Sequence, residues 1–116
     1  MNKAIYDLNP TLLWKHFYAL TQIPRPSKHE QKGAEYVKQF GESLGLETKI
    51  DQTGNVLIKK PATPGMENRK TAILQAHVDM VPQKNSDKNF DFLQDPIEAY
   101  IDGEWVTANG TTLGAD

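Results

Sequence analysis

Residues 72–83, AILQAHVDMVPQ, carry an imidazole and a carboxylate two positions apart at the end of an apolar run. In a β-strand, side chains alternate between faces. His77 and Asp79 would then point the same way, about 6.6 Å apart along the backbone. At that spacing the carboxylate can orient the ring, or both groups can address one ligand. In open α/β sheets the carboxyl ends of strands line the binding crevice, and Pro82 closes this run at such an end. Imidazole is a good zinc ligand, and a nearby carboxylate can lock its tautomer without touching the metal. The chain holds three histidines, and roughly one chain of this composition in five contains a His-x-Asp by chance. A strand-end histidine hydrogen-bonded to a neighbouring aspartate gives the same pattern, so the pattern alone leaves both readings open.

Asp116 is the other carboxylate of interest. It follows GTTLG, whose small residues allow a tight backbone path, and a carboxylate there could bridge metals. An ordinary loop aspartate or a frayed chain end fits the spacing equally. His16 lies inside an expected helix and reads as a surface or boundary residue. His29 reads as exposed, and Trp14 and Trp105 read as packing residues. A catalytic zinc needs three protein ligands and an open position, and a two-metal site needs more. His77, Asp79 and Asp116 fall short of that, with no second histidine ligand and no glutamate placed as a base. A metal enzyme built on this chain would find only part of its site here.

The elements that must position these groups follow from the periodicity. Asn9-Pro10 should open a first helix, with Asn as cap and Pro at the first helical position. Leu13, Phe17 and Leu20 form its apolar stripe, widened by Leu12 and Ile23. The prolines of IPRP stop it. Ser27 and Glu30 have capping-box spacing and should start a second helix, with Ala34, Val37, Gly41 and Leu44 on one face and Gly45 as its stop. Leu46, Thr48 and Ile50 alternate in a strand, DQTGN turns and VLIKK returns. PATPGMENRK is a loop. TAILQAHVDM is the most apolar strand and is expected in a sheet interior. Residues 84–95 are polar and irregular, and IEAYIDGEWV reads as a hairpin around Asp102-Gly103. The expected class is α/β, two helices followed by a mixed sheet.

Composition narrows the function classes. The chain has 116 residues, 38% apolar and 24% charged, which suits one soluble globular domain. A net charge of −2 gives no basic footprint for nucleic acid. No apolar run approaches the roughly 20 residues of a membrane helix. The N-terminal stretch lacks a secretory leader's apolar core, since Asp7, Lys15 and His16 interrupt it. There is no cysteine, hence no disulfide and no thiolate site. A cytoplasmic location is the expectation.

IPRPSKHE, LQAHVDMVPQKN and YIDGEWVTANGTTLGAD together resemble the N-terminal part of aminoacyl-histidine dipeptidases. These are carnosinase-like bacterial cytosolic enzymes of the di-zinc exopeptidase family. The resemblance runs from the first helix to the last residue. His-x-Asp is common to the whole family, whereas MVPQKN and DGEWV…GTTLGAD point to the dipeptidase group. Ala76 departs from the pattern, since relatives commonly have Gly before the histidine; one added methyl would narrow the site and removes no ligand.

The resemblance implies that His77 is a metal ligand, that Asp116 bridges two metals, and that Asp79 is the catalytic-site aspartate that orients the His77 imidazole. It implies two zinc ions per site, with cobalt or manganese also suited to these donors. The implied reaction is metal-assisted hydrolysis of dipeptides with C-terminal histidine, through an acidified water, a polarised carbonyl and a glutamate base. That glutamate and the other ligands lie beyond Asp116 in the family, so residues 1–116 are read as the N-terminal portion of the catalytic domain. The lid or dimerisation domain is absent, and a homodimer is implied for the full-length enzyme. A tripeptidase or deacylase on the same scaffold, or a non-catalytic α/β binding module, are the alternatives.

Overall fold

The computed structural model describes residues 4–115. The chain divides into two compact units: residues up to Gly33 together with those from Asp79 onward, and Ala34–Val78. Its elements are a 3-10 turn at Ile5–Asp7, helices α1 (Thr11–Thr21) and α2 (Gln31–Ser43), and strands β1 (Glu47–Ile50), β2 (Val56–Lys59), β3 (Ala99–Asp102) and β4 (Trp105–Ala108). Two helices followed by antiparallel strand pairs make this an α/β fold, as expected. The strands form two separate two-stranded sheets, β1–β2 and β3–β4.

In the first unit, α1 starts one residue later than predicted. Pro10 takes the N-cap position, and no side chain caps the helix there. Phe17, Leu20 and Ile23 are half-buried, but Leu12 and Leu13 are exposed, so the apolar stripe is narrower than the sequence suggests. Edge-to-face ring pairs hold this corner: Tyr6 with Tyr18 and Trp14 with Phe17, both at 5.2 Å. The helix ends on buried Thr21, whose hydroxyl donates to the Tyr18 carbonyl at 2.6 Å. The Thr21 carbonyl accepts from the N–H of buried Ile97 at 2.9 Å, which anchors the approach to β3.

The β3–β4 hairpin pairs Asp102 with Trp105, so its two loop residues are Gly103 and Glu104. Gly103 has φ 61°, the positive value a type II′ turn needs at its first central position. The turn thus sits one residue later than an Asp-Gly reading places it. Trp105 is 77% exposed rather than a packing residue.

In the second unit, α2 leads into the β1–β2 hairpin through a Schellman stop. The Leu46 N–H donates to the Gly41 carbonyl at 3.1 Å, and the Gly45 N–H to the Glu42 carbonyl at 2.9 Å, with Gly45 at φ 70°. β1 and β2 pair antiparallel, Thr48 opposite Ile58. Gly41 lies against that pair. A Cβ at Gly41 would stand 2.4 Å from Thr48 Oγ1 and 2.9 Å from Ile58, so only glycine allows this approach. The DQTGN turn is built on Asp51. Its Oδ1 accepts the N–H groups of Thr53, Gly54 and Asn55, each at 2.9 Å.

One predicted element does not form. Residues 71–79 belong to no β-ladder among the described residues, and Ile73 and Leu74 are 86% and 96% exposed. Apolar side chains qualify a run for burial, but a strand also needs a neighbour to take its N–H and C=O groups. The ladder begins only at Met80, in an isolated parallel bridge with Pro26.

Candidate active site

The segment that follows Asp79 and the one leading to Asp116 meet in the first unit. From Met80 the chain runs beside residues 110–112. The Thr112 N–H donates to the Gln83 carbonyl at 2.8 Å, the Asn85 N–H to the Gly110 carbonyl at 2.8 Å, and Lys84 pairs with Thr111 in an antiparallel bridge. The Thr112 hydroxyl donates to the Val81 carbonyl at 2.6 Å. Two blocks that are far apart in the sequence, MVPQKN and NGTTLG, are therefore zipped together.

Gly114 completes the zipper by close contact. Its φ is 71°, and a Cβ there would stand 3.0 Å from Met80 Sδ and 3.1 Å from Arg25 Nη2. Arg25 is 6% exposed. Its Nη2 donates to the Gly114 carbonyl at 2.7 Å and its Nε to the Leu20 carbonyl at 3.2 Å. A guanidinium in a peptide-lined pocket satisfies several carbonyls at once because its donors are fixed in a planar fork.

The turn carrying Arg25 also grips the Asp79 segment. The Met80 N–H donates to the Arg25 carbonyl and the Ser27 N–H to the Met80 carbonyl, both at 3.0 Å. Ser27 Oγ donates to Asp79 Oδ2 at 2.7 Å. Ser27 therefore does not act as the predicted helix cap. α2 begins at Gln31, and the intervening residues form a turn with Lys28 at φ 74° and the His29 N–H on the Pro26 carbonyl at 2.8 Å. Asp79 is half-buried, whereas His77 is exposed and belongs to the second unit.

Further along, the Lys88 ammonium pairs with Glu98, and Asn109 Nδ2 donates to Glu98 Oε2 at 3.0 Å. The Lys88 hydrogen bond is the main reason the Glu98 carboxyl is held below its ordinary value; the Lys88 charge and Asn109 add to it. These contacts brace the loop that joins the zipper to β3.

Imidazole and carboxylate are suitable donors for zinc, but no three of His, Cys, Asp or Glu converge as a metal site among the described residues. Asp116, the predicted bridging ligand, lies outside the described residues. The described donors do not by themselves make up a metal site.

No protein-family model matches the chain. It is 58% identical over 110 residues to the cytosol non-specific dipeptidase of Escherichia coli (strain K12), a match covering 95% of this chain and 23% of that protein. The crystal structure of aminoacylhistidine dipeptidase from Vibrio alginolyticus matches with a TM-score of 0.94 at 59% identity, over 98% of this chain and 23% of that one. The chain is homologous to the aminoacylhistidine and cytosol dipeptidases. The α/β fold is that of the matched part of the Vibrio dipeptidase. The chain spans about a quarter of the length of either dipeptidase.

Two residues of this segment escape sequence reasoning. Ser27 satisfies a capping-box spacing, and Arg25 stands between two helix-breaking prolines. Nothing local marks either as facing Met80, Asp79 or Gly114. The one available signal is that IPRPS belongs to the blocks the dipeptidase resemblance rests on.

Proposed function

We propose that this chain is the N-terminal portion, residues 1–116, of the catalytic domain of a longer metal-dependent dipeptidase. In this reading His77 is a ligand of one metal, Asp116 bridges two, and Asp79 orients the His77 imidazole. Zinc is the metal, with cobalt and manganese compatible with the same donors. When bound, such a pair acidifies a water and polarises the scissile carbonyl. The contribution of this chain's own residues is to hold ligands: the Arg25–Ser27 turn and the 80–85 against 110–112 zipper fix the backbone around them. The general base and remaining ligands are expected from residues that this chain does not contain.

What carries the reading is the identity of 58–59% to two dipeptidases over nearly the whole chain. The substrate is an unblocked dipeptide. The Vibrio relative is by name an aminoacylhistidine dipeptidase and the Escherichia coli relative a non-specific one; a C-terminal histidine is the narrower proposal. The latter's name also places it in the cytosol, the compartment expected here. Among the described residues no helix is long and apolar enough to cross a membrane. A homodimer is proposed for the full-length enzyme.

The test compares the full-length protein with residues 1–116. The full-length protein should carry about two equivalents of zinc. It should hydrolyse β-alanyl-histidine, lose that activity to a chelator and regain it with zinc. Residues 1–116 alone should bind zinc weakly and hydrolyse nothing. Chelator-sensitive hydrolysis by residues 1–116 would contradict the shared site. A zinc-loaded full-length protein that cleaves tripeptides or acyl amides instead would point to a sister activity, and one without hydrolysis to a binding module.

A further inference from the structure

Asp79 is held by a residue 52 positions earlier in the chain. Ser27 Oγ lies 2.7 Å from Asp79 Oδ2 and 3.2 Å from the Met80 carbonyl. A hydroxyl has one proton to donate, and the shorter contact to an ionised oxygen is the stronger. The contact does not depend on a mobile side chain reaching across solvent. The backbone of Ser27 is itself bonded to Met80, and Met80 to Arg25. Donor and acceptor therefore flank the Pro26–Met80 bridge, whose backbone hydrogen bonds hold the two segments in register. A hydroxyl on Oδ2 fixes the rotation of the carboxylate about its last bond, so the direction of Oδ1 is set as well. The same turn reaches the other arm of the site, because Arg25 Nη2 donates to the carbonyl of Gly114, two residues before Asp116.

We infer that Ser27 is a positioning residue for Asp79, and that the Arg25–Ser27 turn holds Asp79 and the approach to Asp116 in one frame. The inference rests on the dipeptidase reading for its catalytic consequence. Asp79 is the group proposed to orient a metal-bound imidazole, and partners of that kind are typically worth 10–100-fold in activity or metal affinity. Ser27 acts one step further out, through Asp79. Its loss should therefore slow the chemical step without weakening peptide binding.

The experiment uses the full-length zinc-loaded protein and the variants Ser27→Ala and Ser27→Thr. In Ser27→Ala, kcat on β-alanyl-histidine should fall about tenfold. KM and the zinc content should stay within about twofold of the parent, and the melting temperature should change little. Ser27→Thr, which keeps the hydroxyl, should recover most of the lost kcat. Crystal structures of the parent and Ser27→Ala proteins supply a readout independent of activity: the Asp79 carboxylate should be ordered in the first and turned or disordered in the second. An unmoved Asp79 in Ser27→Ala, or an unchanged kcat, overturns the inference. A parent protein with zinc but no dipeptidase activity overturns the functional reading instead, and the position of Asp79 still decides whether Ser27 holds it.

Discussion

Single residues fix the candidate site through long-range contacts with little local signature. Arg25 is the clearest case: buried, charged, and bonded to carbonyls of Leu20 and Gly114. Its fork reaches both at once, which a lysine ammonium on a flexible stem does not reproduce. Arg25→Lys should therefore remove one hydrogen bond in a half-buried setting and cost about 1 kcal/mol. Urea unfolding of the 116-residue chain checks this, and an unchanged midpoint would show that one carbonyl suffices. Ser27 illustrates why such roles are hard to read ahead of the fold. The sequence S-x-x-E has the same spacing whether the serine caps a helix or bonds elsewhere, and its partner Asp79 is distant in the chain. His77 and Asp79 were legible as candidates because their types and spacing are chemically apt. Which groups hold them was not.

Elements were more legible where the backbone itself demands a residue type. Gly45 ends α2 and Gly103 turns β3 into β4 because both positions need positive φ. The strand alternation emerges in β2 and at Thr48 of β1, where one face of the hairpin meets α2, whereas Ile50 is exposed. Gly41 marks that meeting. Alanine is favoured over glycine within a helix by about 1 kcal/mol, yet its methyl would overlap Thr48 and Ile58. Overpacking of this kind costs about 1–3 kcal/mol. Gly41→Ala should be net destabilising by thermal unfolding, and Thr48→Ala should restore part of the loss; a stabilised Gly41→Ala would refute the close approach. The β1–β2 turn carries a pH signature. Hydrogen bonds from the Asn55 side chain and backbone, then from Thr53 and Gly54, hold the Asp51 carboxyl below its ordinary value. A depressed folded-state value means the turn's contribution is present above the unfolded aspartate value and is lost as pH falls through the folded one. NMR titration should place Asp51 below a free aspartate, and Asp51→Ala should remove that part of the acid sensitivity.

Over the whole molecule, the buried apolar side chains among the described residues are Ile5, Ala34, Met80 and Ile97, a small set for a chain of this length. The apolarity that led to an interior-strand reading is largely on the surface, in residues 71–78. The run is legible as apolar from composition alone. Its state is not, because pairing depends on a neighbouring strand and no ladder among the described residues includes it. A surface side chain that packs against nothing adds little to folding, and its replacement usually changes stability by less than about 0.5 kcal/mol. Contiguous exposed apolar residues do promote association. Ile73→Lys with Leu74→Lys should therefore leave the unfolding midpoint of the 116-residue chain unchanged, while sedimentation shows less concentration-dependent association than in the parent. A loss of more than about 1 kcal/mol in the double variant would mean that these side chains are buried in the free chain. A full-length protein that tolerated both lysines with full activity would mean that the run stays at the surface there as well.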